Sequence, residues 1–119
     1  KHTITDSEYS IMKILWNSEK KMTVSDVVKA LDGNDWTPST VSTFLQRLLK
    51  KNVVSCEKKG NTNLYYPILK QNDYDMRETE SFLSKIYKGS VKNLVAALYE
   101  NKKLSKEDMS ELKSMFDLE

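Results

Sequence analysis

DWTPSTVSTFLQRLLKK, residues Asp35 to Lys51, opens on small hydroxyl side chains and closes on arginine and lysine. Thr37 can cap a helix N-terminus, and Pro38 suits the first turn because a proline there loses no intrahelical hydrogen bond. Val41, Phe44, Leu45, Leu48 and Leu49 then fall on one inner side, and Asn52 is a natural C-terminal stop. On the outer side Thr40, Thr43 and Arg47 recur at helical spacing, with Ser39, Ser42, Gln46 and Lys50 as the adjoining strip. An ordinary solvated face mixes acidic and basic side chains, yet no Asp or Glu occurs from Thr37 to Ser55. Hydroxyls and an amide can reach base edges in a major groove, while Arg47, Lys50 and Lys51 suit phosphate oxygens. The stretch therefore reads as a helix that recognises DNA.

The flanking segments give this helix a setting. TDSEYSIMKILWNS spaces Thr5 and Glu8 as a capping box and sets Tyr9, Ile11, Met12, Leu15 and Trp16 at helical intervals, which predicts a first helix over about 6–18. Thr23 and Asp26 repeat the box before a short stripe of Val24, Val27, Val28 and Leu31, which stops at the turn-rich DGND. After Asn52 the period changes from helical to alternating. Val53–Glu57 and Asn63–Ile68 are β-prone runs joined by Lys58, Lys59, Gly60, Asn61 and Thr62, a hairpin with a basic tip. Three helices and a hairpin, in that order, make a winged helix-turn-helix, with Lys58 and Lys59 placed to add sequence-independent affinity for phosphates. Tyr65 and Tyr66 alternate faces on the returning strand. One of them belongs to the core and the other can meet phosphate; the sequence does not choose between them, and Tyr65 stands as the candidate contact. Trp16 and Trp36, large apolar side chains at helix boundaries, read as structural.

Beyond residue 70 no strand pattern recurs. Residues 72–88 carry Tyr74, Phe82, Leu83, Ile86 and Tyr87; Gly89 interrupts; residues 90–100 carry Val91, Leu94, Val95 and Leu98. Ser105 and Asp108 then cap a last helix with Met109, Leu112, Met115 and Phe116. Three thin helices bury too little apolar surface to stand alone. Their stripes either pack against a second copy, the more economical arrangement, or fold back on the N-terminal part. The fold class is thus mainly α with a small β-hairpin wing: a winged helix-turn-helix over residues 1–70, then a three-helix dimerisation region over 71–119. The expected dimer residues are Phe82, Leu83, Ile86, Tyr87, Val91, Leu94, Val95, Leu98, Leu112, Met115 and Phe116.

Composition restricts the chemistry. The 119 residues carry a net charge of only +2, but residues 1–70 hold +4 and residues 71–119 hold −2, so a polyanion partner suits the first part. There is one cysteine, Cys56, and one histidine, His2. No Gly-rich phosphate loop and no convergent set of base, nucleophile or metal ligands is present, so neither an enzyme nor a cofactor is expected. Cys56 lacks a basic or histidine partner and reads as a small hydrophobe. No apolar run is long enough for a membrane span and no signal-like segment opens the chain, which makes cytoplasmic location the default expectation.

The recognition stretch W-T-P-S-T-V-S-T-F-L-Q-R-L-L-K-K resembles the signature of the penicillinase-repressor family, the BlaI/MecI/CopY group. SEYSIMKILW is similar to that family's first helix, NLYYPI to its returning wing strand and FLSKIYKGSVKNLV to its dimerisation region. The resemblance implies a homodimeric repressor that binds double-stranded operator DNA of inverted-repeat form and controls an antibiotic (β-lactam) or stress response. Three departures accompany it. The β-lactam-responsive members carry basic residues where this chain has Ser39 and Ser42. They are also inactivated by a regulatory protease at an Asn-Phe bond, and the aligned position here, Ala97-Leu98, lacks the polar side chain of that site. The copper-responsive members carry a cysteine-rich metal site near the C-terminus, for which nothing after Cys56 supplies thiolates. The alternative reading from another class is a winged helix used as a protein-interaction module without specific DNA binding.

Overall fold

Every helix start that the capping pattern marks is a helix start in the computed structural model, which describes residues 3–33 and 35–116. His2 lies outside the described residues. The chain divides into two compact units, Lys1–Tyr74 and Asp75–Glu119.

In the first unit, α1 (Asp6–Asn17) and α2 (Val24–Ala30) begin on full capping boxes, Thr5 with Glu8 and Thr23 with Asp26. Helix α3 (Pro38–Lys50) begins on Thr37, whose hydroxyl accepts the Thr40 amide at 3.2 Å. Its far end closes on Asn52 at φ 61, with the Asn52 amide donating to Leu49 O at 3.0 Å and the Val53 amide to Leu48 O at 3.3 Å. That is a Schellman closure built on asparagine, which tolerates the left-handed region better than most residues. Ile11, Met12 and Leu15 of α1, Val27 of α2 and Val41, Leu45 and Leu48 of α3 form the core, with Val53, Val54 and Tyr65 beneath them. Phe44 and Leu49 are only partly buried.

The wing is β1 (Val54–Lys59) paired antiparallel with β2 (Thr62–Pro67), in a register that sets Cys56 opposite Tyr65 and Lys59 opposite Thr62. The expected five-residue basic tip is instead the two-residue turn Gly60-Asn61. Gly60 takes φ +64 while Asn61 does not go positive, the pattern of a type II′ turn that matches strand twist. Lys58 and Lys59 therefore belong to β1 and point to opposite faces. The hairpin also has an edge partner that the alternation did not reveal. Met22 exchanges both backbone hydrogen bonds with Tyr65, at 2.9 and 2.7 Å, so the segment before α2 pins the wing to the helices.

The first unit ends four residues later than the expected boundary at residue 70, inside α4 (Gln71–Lys85). Tyr74 is 6% exposed and packs with Tyr9 and Trp16, ring centroids 5.8 and 6.1 Å away, while the Trp16 indole donates to Leu69 O at 2.8 Å. Tyr74 thus serves the first unit's core and leaves the apolar set of the second.

The second unit continues α4 through a tight turn at Tyr87–Gly89 into α5 (Val91–Glu100) and α6 (Lys106–Met115). Neither α5 nor α6 has a buried residue. Phe82, Tyr87, Val91, Leu98, Leu112, Met115 and Phe116 are exposed, and Leu83, Ile86, Leu94 and Val95 half-buried. No helix among the described residues is long and apolar enough to cross a membrane.

Candidate nucleic-acid interface

Helix α3 turns its apolar side into the core, so its opposite side has to face solvent. Ser39, Thr43, Gln46, Arg47 and Lys50 are exposed there, whereas Thr40 and Ser42 sit half-buried on the two flanks. The centre of the surface is therefore the Ser39–Thr43–Gln46–Lys50 row, one step around the helix from the row centred on Thr40, Thr43 and Arg47. Core packing sets this rotation, because Val41, Leu45 and Leu48 are all at 0% exposure and leave the helix one way to sit.

Within the surface several groups are already organised. The Thr43 hydroxyl donates to Ser39 O at 3.1 Å. The Arg47 guanidinium carbon stands 5.7 Å from the centre of the Phe44 ring, and Phe44 in turn packs on Trp36 at 5.1 Å. An aromatic pair thereby limits where Arg47 can swing. Phe44 and Trp36 are structural by their sequence pattern alone; the i, i+3 spacing of Phe44 and Arg47, which brings helix side chains together, is the local signal of this added role. Among the described residues neither Arg47 nor Lys50 is in an ion pair.

Two expected contacts leave the surface. Tyr65 is 1% exposed, with its phenol 3.4 Å from Gln46 Nε2 beneath α3. It cannot meet phosphate. The pleat decides this: Tyr65 faces the core side of the hairpin, and Tyr66 the other, where the Lys21 ammonium lies 4.5 Å from its ring centre and pairs with Glu57. Lys51 is also withdrawn. Its ammonium donates to Glu8 Oε1 at 2.5 Å and to Thr3 O at 2.8 Å, binding the end of α3 to the start of α1. Glu8, 1% exposed, neutralises the lysine that the stretch had offered to phosphate. Burial pushes the Glu8 carboxyl up, but the Lys51 hydrogen bond, the bonds to Thr5 and the Lys51 charge together outweigh it and hold the group below its ordinary value. Nothing local in the sequence marks this pair, whose members are 43 residues apart.

Lys58 and Lys59 are exposed on the wing. Lys58 shares the hairpin face of Tyr65, the face turned toward α3, and Lys59 shares that of Tyr66. In the second unit the Ala97-Leu98 bond lies inside α5, where Ala97 O accepts both the Asn101 amide at 3.0 Å and the Asn101 side chain at 2.8 Å.

Three helices, a strand-pinned wing and a third helix with an exposed, acid-free polar face define a winged helix-turn-helix protein. The chain belongs to the penicillinase repressor family, whose model matches residues 4–117. It is 34% identical over 110 residues to the penicillinase repressor of Bacillus licheniformis, covering 92% of this chain and 85% of that one. To the methicillin resistance regulatory protein MecI of Staphylococcus aureus it is 26% identical over 117 residues, covering 98% and 94%. Among solved structures it is similar to the monomeric form of the B. licheniformis repressor BlaI in complex with the blaP half-operator, at 32% identity and a TM-score of 0.52, covering 61% of this chain and 89% of that one.

Proposed function

We propose that this chain is a transcriptional repressor that binds double-stranded operator DNA through α3 and the wing, acts as a homodimer on an inverted repeat, and controls antibiotic-resistance genes. The observation that carries the reading is the exposed row Ser39, Thr43, Gln46 and Lys50 with Arg47 beside it, free of acidic side chains and presented by a helix whose other side is locked in the core. Base edges meet the hydroxyls and amide, and phosphates meet Arg47, Lys50 and the wing lysines. The half-operator complex of the similar BlaI supports this use of the head, and the names of the penicillinase and methicillin-resistance relatives support the kind of gene controlled.

The second unit supports the homodimer. Its Phe82, Val91, Leu98, Leu112, Met115 and Phe116 are all exposed, large apolar side chains of the kind that a partner surface covers. Two linked heads gain from effective concentration, so loss of the dimer lowers operator affinity. Release from DNA follows one of two routes in this proposal: a regulatory protease of different specificity cuts at Ala97-Leu98, which would require α5 to unwind first, or regulation proceeds without cleavage there.

A mobility shift of the full chain on the DNA upstream of its own gene tests the reading. A shift that resists excess scrambled DNA, with half-sites about 34 Å apart, is expected. Sedimentation of the native chain and of Leu98→Glu should show dimer and monomer respectively, with weaker operator binding by the monomer. Equal binding to cognate and scrambled DNA would favour the protein-interaction module instead.

A further inference from the structure

We infer that Thr43 is a specificity-determining residue that reads an exocyclic amine, that of adenine or cytosine, and selects against guanine and thymine at one position of each half-site. The inference rests on the DNA-binding reading above and adds the chemistry of one base contact.

Thr43 is exposed at the middle of the outward row of α3, with Ser39 one turn before it and Gln46 and Arg47 one turn after. A threonine hydroxyl holds one proton and two lone pairs. Here the proton is committed, because Oγ1 lies 3.1 Å from Ser39 O and a carbonyl can only accept. What Thr43 offers DNA is then a pair of acceptor sites. Within a major groove the donors that an acceptor can find are the N6 amine of adenine and the N4 amine of cytosine; guanine and thymine present acceptors there and would face the oxygen with like polarity. Arg47 and Lys50 are donors only, so they serve phosphates or base acceptors. The other acceptor in the row is the Gln46 amide oxygen, since Gln46 Nε2 lies 3.4 Å from the Tyr65 phenol, and the Thr43→Val comparison separates the two. The back-bond to Ser39 is one of two χ1 states that threonine adopts in helices, so the chain holds the accepting state before DNA arrives.

The test uses the full chain, its Thr43→Val variant, which keeps the shape and removes the hydroxyl, and Thr43→Ser, which restores it. Site selection from random DNA identifies the bases each protein prefers. Anisotropy titrations then compare the selected duplex with one in which purine replaces adenine, or 2-pyrimidinone replaces cytosine, at the position concerned, so that only the amine is lost. The native chain and Thr43→Ser should lose roughly threefold to tenfold in affinity with the amine, while Thr43→Val should be indifferent to it and should drop the preference at that position alone. Unchanged preferences in Thr43→Val, or a lost preference for guanine, overturn the assignment. So does a native preference for thymine that Thr43→Val retains, since a methyl contact would explain it. A native chain that selects no sequence overturns the DNA-binding reading together with this one.

Discussion

Lys51→Met removes the cation from a buried pair and tests how α3 is anchored. In the native chain the Glu8 carboxylate, 1% exposed, accepts from Lys51 Nζ at 2.5 Å and from the Thr5 amide at 3.0 Å. Without Lys51 the charge is left out of water with the Thr5 group alone. Removing one partner of a fully buried pair costs about 3–5 kcal/mol. The Lys51 side chain is 25% exposed. That exposure and the surviving Thr5 bond reduce the expected loss to about 2–3 kcal/mol. Glu8→Gln is milder, about 1 kcal/mol, because an amide oxygen still accepts from Thr5 and the freed ammonium turns to water. The double replacement should consequently be more stable than Lys51→Met alone.

Urea unfolding of the full chain, followed by the fluorescence of Trp16 and Trp36, measures these differences, since both tryptophans lie in the first unit. The pH dependence supplies a signature that simple loss of packing lacks. In the native chain the folded Glu8 carboxyl sits below its ordinary value of 4.5, so its stabilisation is present above that value and is lost as pH falls through the folded one. In Lys51→Met burial is opposed by the Thr5 bonds alone, so the folded carboxyl sits higher than in the native chain and the stability lost with Lys51 is largest near neutrality and fades on acidification. The stability gap between the two proteins should therefore narrow as pH drops through the carboxylate range. A gap independent of pH, or no gap at neutrality, would refute the argument.

The same pairing separates two adjacent lysines on DNA: Lys50→Met should reduce the salt slope of binding by about one, whereas Lys51→Met should leave it unchanged, as filter binding across a salt series would show. At the Schellman turn Asn52→Gly should hold or raise stability by up to about 0.5 kcal/mol, and Asn52→Ala should lower it by about 1 kcal/mol because a Cβ is disfavoured at φ 61; equilibrium unfolding reads both.

The nature and order of the elements are legible in the chain alone, because caps and periodicity are local. Thr5, Thr23, Thr37 and Ser105 each mark a helix start by a hydroxyl within reach of an amide three residues on, and that geometry needs no tertiary partner. The polar, acid-free face of α3 is likewise visible as a pattern. Which residues stand at its centre is decided only when Val41, Leu45 and Leu48 enter the core and fix the helix's rotation. Tyr65 and Tyr66 carry the same side chain in the same strand, and only the pairing with Cys56 and the bridge to Met22 assigns one to the core and the other to the outer face. Lys51 reads as a free cation until α1 brings Glu8 against it, and Tyr74 reads as part of the C-terminal stripe until Tyr9 and Trp16 enclose it. Met22, Glu8, Tyr9 and Trp16 each lie tens of residues from the side chain they decide, and burial, which determines whether a charge or a ring meets water, belongs to the packed molecule and to no local stretch of its sequence.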